Sequence, residues 1–298
     1  MILVAGSANL DFVVRAPHIP APGETVLGSE FRTFPGGKGA NQAIACARAG
    51  GAATEMLLAI GDDAFAVPIE RSLQDAGVRT HVVRITDVAT GTAFIVVSDD
   101  AQNAITVAPG ANNALRAAHL PALSGCTHLL LQLETPIEAV TAYAWAARSR
   151  GVKVVLNAAP ARALSREVLS LVDVLVVNEG ELTTVAGHRG SIAEGLQRID
   201  VPCVVVTLGE RGSCARVGGE VITQDGFAVD AVDTTAAGDT FCGVFVAGLA
   251  LGLPIAEALR EANAAGALAC TRPGAQDSIP TRAEVQAFLR IHSVKTPQ

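Results

Sequence analysis

The sequence predicts an α/β fold: a central, mostly parallel sheet flanked by helices, with a small second sheet projecting from the main body. Three observations carry that expectation. Short β-branched runs alternate with longer Ala-rich helical stretches, the order that builds a parallel sheet covered by helices. The strand candidates are almost continuously apolar, as strands buried on both faces are. Two stretches, residues 10–34 and 82–108, break this rhythm with Pro, Gly and alternating apolar and polar positions.

In chain order, the first strand is expected over 2–6 and is followed by the Pro- and Gly-rich stretch 10–34. A helix over 40–49 is stopped by Gly50-Gly51, and a strand over 55–60 precedes a helix over 65–76. Residues 82–108 alternate around the turn Ser98-Asp99-Asp100-Ala101-Gln102-Asn103 and predict antiparallel hairpin strands. Strands follow over 127–132, 153–157, 174–178 and 203–208, with a helix over 137–150. The chain closes on helices over 239–251, 255–270 and 282–292, each with ordinary start and stop signals. The two irregular stretches form either one small antiparallel sheet built from separated parts of the chain or edge strands of the main sheet. At about 150 residues per domain, 298 residues allow two domains. No linker, repeat or low-complexity segment divides the chain, so a single domain over 1–298 is expected.

Half of the residues (50%) are apolar and only 17% charged, which places the chain among folded globules with a sizeable core. Mean hydropathy is +0.38, and the longest uncharged run, 240–256, comes close to membrane-spanning length. It holds Gly243, Gly248, Gly252 and Pro254 and is flanked by Asp239 and Glu257, so it reads as a buried helix followed by a turn. A net charge of −7 argues against nucleic acid or an anionic membrane as a partner. The six cysteines show no C-x-x-C spacing and sit among apolar neighbours, and no leader pattern precedes the first strand, so a reduced, cytoplasmic protein is expected. The six histidines are scattered without H-x-x-x-H spacing, and no serine lies in a G-x-S-x-G elbow, which removes support for zinc chemistry and for a hydrolase triad.

The sharpest local signal is Asp233-Thr234-Thr235-Ala236-Ala237-Gly238-Asp239 at the start of an apolar helix. Small residues there let a ligand approach the backbone, and the N–H groups of Ala236, Ala237, Gly238 and Asp239 point toward an anion. Asp239 is then placed to accept a proton from a hydroxyl held against that anion, and the helix N-terminus favours its ionised form. The alternative is an N-capping Asp after a turn. The second signal, Gly36-Gly37-Lys38-Gly39-Ala40-Asn41, puts one of only three lysines between glycines. It is not a Walker A loop, because Gly39 follows the lysine. Polar groups also fall at strand ends: Asn9-Leu10-Asp11, Gln132-Leu133-Glu134, Asn178-Glu179-Gly180-Glu181 and Thr207-Leu208-Gly209-Glu210-Arg211-Gly212. In an open α/β sheet the ligand crevice lies beyond those ends, so the groups converge there unless each is a cap or a solvated turn. The first strand's loop lacks G-x-G-x-x-G, against a dinucleotide oxidoreductase.

Together these residues resemble the ribokinase and phosphofructokinase-B-type sugar kinase family. Its two signature regions match 36–41 and 233–239, and its N-x-x-E element matches Asn178 and Glu181. The likeness extends through Pro22-Gly23-Glu24-Thr25, Pro109-Gly110-Ala111-Asn112, Asn157-Ala158-Ala159-Pro160-Ala161-Arg162 and residues 271–278. The resemblance implies a ribokinase-like fold whose two irregular stretches, about 10–34 and 82–108, form a β-lid that closes over the sugar and pairs two subunits into a homodimer. It implies an ATP-dependent kinase acting on the 5-hydroxyl of D-ribose, with Asp239 as base and Ala236, Ala237 and Gly238 stabilising the moving phosphoryl group. Asn9, Asp11, Gly37, Lys38, Asn41 and Glu134, with Asp239, are the implied sugar contacts. Asn178, Glu181, Thr207, Leu208, Gly209, Glu210, Arg211, Gly212, Gly238 and Asn263 are the implied ATP contacts. Mg2+ rides on the ATP phosphates, with Asn178 and Glu181 acting through water. A K+ site maps to Asp233, Thr235, Ala269, Arg272, Gly274 and Ser278, several of them through backbone carbonyls. Another sugar or a nucleoside is the alternative substrate, although small polar residues such as Asn9, Asp11, Asn41 and Glu134 favour a compact hydroxylated one. A non-catalytic sugar-binding protein is the alternative from another class, and the retained Asp239 and its glycines argue against it.

Overall fold

The computed structural model describes residues 1–100 and 102–293. Ala101, within the expected turn 98–103, and the end of the expected domain, 294–298, lie outside the described residues. Strand β1 (Ile2–Ala5) leads into β2 (Asn9–Ala16) and β3 (Glu30–Gly36), and helix α1 (Lys38–Ile44) continues as one wider turn over Ala45–Ala49. Then come β4 (Thr54–Gly61), α2 (Ala66–Asp75), β5 (Arg79–Ile85), β6 (Gly91–Ser98) and β7 (Asn103–Ala108). The middle of the chain forms β8 (His128–Leu131), α3 (Ile137–Arg148), β9 (Lys153–Asn157), α4 (Arg166–Ser170), β10 (Val174–Asn178), α5 (Glu179–Ala186) and α6 (Ile192–Arg198). It ends with β11 (Cys203–Thr207), the hairpin β12 (Ser213–Val217) and β13 (Glu220–Gln224), then α7 (Ala237–Ala250), α8 (Ile255–Cys270) and α9 (Arg282–Ser293).

Nine strands form one sheet in the order β13-β12-β11-β10-β9-β8-β1-β4-β5, parallel from β11 to β5. Alternating residues of each strand go to opposite faces. Ile2, Val4, Met56, Leu58, Val155 and Val205 join one core cluster with residues of α1, α7, α8 and α9. Leu3, Leu57, Leu129, Leu131, Val154 and Val204 join the other, with residues of α3 and α5. Burial on both faces explains the continuous apolar runs and the high apolar fraction. The uncharged run 240–256 is largely α7, whose residues 239–248 are buried. Among the described residues no helix is long and apolar enough to cross a membrane.

A separate four-stranded sheet has the order β3-β2-β6-β7. Its outer pairs are antiparallel, but β2 and β6 run parallel, so the sheet is mixed. The expected span 82–108 needs correcting at its start: residues 82–85 belong to β5, which pairs with β4 in the main sheet. An edge strand is half-solvated and alternates just as a hairpin strand does, so the pattern 82–85 fits both. The order in the main sheet reverses at β1: the chain runs to β4 and β5 on one side and to β8 and its successors on the other. That switch opens a crevice beyond the carboxyl ends of β1 and β8, where ligands of open α/β sheets bind.

Candidate active site

The residues after β1 and β8 make one wall of the crevice. Ser7 Oγ donates to Glu134 Oε2 at 2.6 Å, and the Lys38 backbone N–H donates to the same oxygen at 3.1 Å. Asn9, 3% exposed, accepts through Oδ1 from Asn112 Nδ2 at 2.8 Å, and Asn112 also binds both backbone groups of Ala8. Gly37 starts α1 at φ 89°, and a Cβ there would lie 2.8 Å from Ala8 Cα and Asn9 N, so only glycine brings the two segments this close. Asp11 lies on β2 beside this wall. Burial, reinforced by the Glu134 and Asp239 carboxylates, pushes its pKa up to about 7. Lys38 is the cation among these acids; attraction to Asp239 outweighs its burial and raises its pKa.

Asp239 sits in the first turn of α7, buried at 8% exposure. Its Oδ2 accepts from Asn41 Nδ2 at 3.0 Å and its Oδ1 from Gln42 Nε2 at 2.8 Å. The helix starts at Ala237, two residues earlier than the expected 239. Ala236 caps it in the left-handed region (φ 58°, ψ 7°), the sole non-glycine residue with positive φ among those described. A left-handed residue followed by a right-handed one turns successive N–H groups into a single concavity that suits an anion. Such a conformation costs on the order of 1 kcal/mol and persists at sites that use it. The Ala237 N–H also reaches Thr234 O at 3.3 Å. At Gly238 an added Cβ would meet no protein atom within 4 Å, so the backbone there is open to a ligand.

On the other side of this turn lies a cavity of about 830 Å3. Thr207, Gly209, Glu210, Gly212, Gly238 and Asn263, all among the residues the resemblance implies at a nucleotide, line it. Leu208 and Arg211 do not: Leu208 packs on the hydrophobic core, and Arg211 ion-pairs with exposed Glu179. Adjacent residues of a tight turn point in different directions, so the contiguous motif does not bring all six of its residues to the cavity. Phe227, Val229, Phe241 and Ala267 supply a largely apolar wall, which suits a purine ring. Asn263 Nδ2 donates to the carbonyls of Gln224 and Asp225, fixing the loop that carries Phe227. A smaller, polar cavity of about 220 Å3 adjoins it, since both include Thr207, Thr234 and Gly238. Lys38, Asn178, Glu181 and Asp239 line this second space. Asn178 and Glu181 form a reciprocal capping box at the start of α5, both bonds 2.8 Å, and burial raises the Glu181 pKa.

The segments 233–235 and 269–278 also meet. Asp233 accepts from the N–H groups of Thr235 and Gly274, each at 2.9 Å, and the Asp233 N–H donates to Cys270 O. The Arg272 side chain is drawn off to Glu284, and Ser278 is buried with its hydroxyl donating to Ala275 O at 2.8 Å.

The same arrangement of chain occurs in proteins of known activity. The family profile of pfkB family carbohydrate kinases matches residues 1–282. A ribokinase of Haemophilus influenzae is 39% identical over 302 residues, covering 97% of this chain and 98% of its own. The chain belongs to the PfkB family of carbohydrate kinases. Ribokinase from Thermotoga maritima has the same fold, with a TM-score of 0.89 at 36% identity over 97% of this chain and 99% of that one. So has Arabidopsis thaliana ribokinase complexed with ribose and ATP, at a TM-score of 0.89 and 32% identity over 97% and 98% of the two chains.

For this PfkB kinase, the fold gives a place at the site to several residues to which no sequence motif assigned a role. Gln42, Gln132 and Asn157 form a buried amide chain under Asp239. Gln276 donates to Asn41 Oδ1 at 3.2 Å from the loop before α9. Phe227 and Val229 of the apolar wall come from a segment without regular structure. The signal for the amides was present: polar residues at the ends of apolar strands and on the buried side of a helix need partners.

Proposed function

We propose that the protein transfers the γ-phosphoryl group of ATP to the 5-hydroxyl of D-ribose, giving D-ribose 5-phosphate and ADP. One observation carries this reading: Asp239 stands at the α7 N-terminus between a cradle of hydroxyl-binding side chains and a nucleotide-sized cavity. Asn9, Asp11, Lys38, Asn41 and Glu134 are the cradle, and Gly37 and Gly39 let the start of α1 pack directly on the backbone of residues 6–9. ATP lies in the larger cavity with its base against Phe227 and Asn263 and its phosphates directed at Gly238. Asp239 accepts the hydroxyl proton as the oxygen attacks, and the N–H groups of Ala236, Ala237 and Gly238 meet the charge on the equatorial oxygens. Lys38 adds a fixed positive charge beside the same oxygens.

Magnesium supplies charge neutralisation on the ATP phosphates. Asn178 and Glu181 fit its outer shell, since both line the polar cavity beside Asp239 and would reach the ion through water. A potassium ion fits the junction of Asp233 and Thr235 with Ala269, Arg272, Gly274 and Ser278, where oxygen donors gather beside the α7 turn. The small sheet acts as a lid that excludes water, which otherwise competes with the sugar for the phosphoryl group. A second copy of the chain covers its exposed apolar residues Ile105 (55%) and Val107 (42%), giving a homodimer. Six free cysteines fit a reducing cytoplasm. The test is a panel of pentoses, hexoses and nucleosides assayed with ATP, with and without K+. D-ribose is expected to give the highest kcat/KM, and K+ to raise it; a clear preference for a hexose or a nucleoside contradicts the substrate assignment.

A further inference from the structure

Each amide that holds Asp239 is itself held by another amide. Gln42 Nε2 donates to Asp239 Oδ1 at 2.8 Å and to Asn157 Oδ1 at 2.9 Å, which uses both of its hydrogens. Gln42 Oε1 accepts from Gln132 Nε2 at 2.7 Å. An ionised carboxylate only accepts, so a single orientation of the Gln42 amide serves it; with the amide turned, oxygen faces oxygen. Gln132 offers Gln42 a donor, and Asn157, whose own Nδ2 donates to Val176 O at 3.1 Å, offers it an acceptor, so both select that orientation. Gln132 is 1% exposed, and its own Oε1 has no hydrogen-bond partner. That oxygen lies so close to Gly6 that a Cβ there would come within 1.9 Å of it. Packing alone asks for an apolar residue after the apolar β8, with no orphan acceptor. The series from Gln132 through Gln42 to Asp239 accounts for the orphan: its amides donate one way, toward the carboxylate, and the last acceptor has nothing left to accept.

We propose that Gln42 and Gln132 are positioning residues for phosphoryl transfer, Gln132 fixing the direction of the Gln42 amide and Gln42 fixing the Asp239 carboxylate. The charged groups facing Asp239, namely Lys38, Asp11 and Glu181, act with less directional constraint than these hydrogen bonds. Neither glutamine lines the cavities, so their effect falls on turnover and spares substrate binding.

The inference rests on the sugar-kinase reading with Asp239 as base, and the test separates the two. Misplacing a reacting group by on the order of 1 Å costs about 100-fold in rate. Gln132→Met keeps the side-chain length without the amide and is expected to lower kcat about 10-fold, with the KM values for ribose and ATP within about two-fold of wild type. Gln42→Met, one bond nearer the carboxylate, is expected to lower kcat about 100-fold with the same KM pattern, and it decides the matter if the first variant does not fold. A wild-type kcat in either folded variant, or a KM that rises in step with the loss, overturns the inference. Asp239→Asn is the control: if it retains turnover, the base assignment fails, whereas an inactive Asp239→Asn beside fully active glutamine variants removes only the positioning role.

Discussion

Asp11 shows how single residues at this site trade stability for chemistry. Its carboxyl is buried on β2 and faces two other acids, and its pKa rises to about 7. The folded state therefore keeps the Asp11 proton to a higher pH than the unfolded chain does. Stability from this group is fully present below the ordinary carboxylate range and is lost as pH rises through about 7. The total is on the order of 4 kcal/mol, from a rise of about three pKa units at about 1.4 kcal/mol each. Asp11→Asn removes the slope, so in the absence of sugar its Tm is expected to exceed that of wild type by an amount that grows from about pH 4 to about pH 8. A Tm difference constant over that range contradicts the electrostatic origin. Lys38 is the counterpart: scarcity of lysine and flanking glycines single it out in the sequence, and in the fold it lies among Asp239, Glu134 and Glu181.

At the scale of elements, the start of α7 does most of the work. Three small residues and an aspartate give a left-handed cap, an open turn and a carboxylate within one helical turn. Gly238 adopts a backbone conformation that alanine shares and has free space where a Cβ would go, so neither strain nor packing requires glycine there. Gly238→Ala is expected to fold with Tm unchanged or slightly raised, since alanine narrows the unfolded ensemble by about 0.4–1 kcal/mol. It is also expected to raise the KM for ATP at least about 10-fold, the equivalent of about 1.4 kcal/mol of lost binding. An unchanged KM for ATP means that no ligand approaches this backbone. Elements that local pattern specifies were legible in the sequence: the buried strands, α3, α7, α8 and the glycine turn before α1. Among the features that were not, three have a clear physical reason. Residues 82–85 alternate like a hairpin yet complete the main sheet, because alternation reports one solvated face and not which sheet owns it. The β12–β13 hairpin turns at Gly218-Gly219 in a stretch to which the sequence expectations assign no element. Gln42, Gln132 and Asn157 lie 90 and 115 residues from one another through their hydrogen bonds, a distance that no local motif spans.

At the scale of the whole molecule, the reversal of strand order at β1 sets the crevice, and the nine-stranded sheet, buried on both faces, holds its walls rigid. The small sheet has no such cover. Phe31 (63%) and Phe94 (53%) are exposed on one side of it and Ile105 (55%) on the other. If a second subunit covers Ile105, Ile105→Asp is expected to sediment as a monomer where the wild type is a dimer, and equal masses contradict pairing through this sheet. The central claim, phosphoryl transfer from ATP to the sugar's primary hydroxyl, has a more direct test. The purified protein is incubated with ATP, Mg2+ and uniformly 13C-labelled D-ribose, and the product is examined for coupling between phosphorus and carbon. Coupling to carbon 5 with stoichiometric ADP is the result predicted here; phosphate on another carbon, or ADP formed without any sugar phosphate, would contradict it.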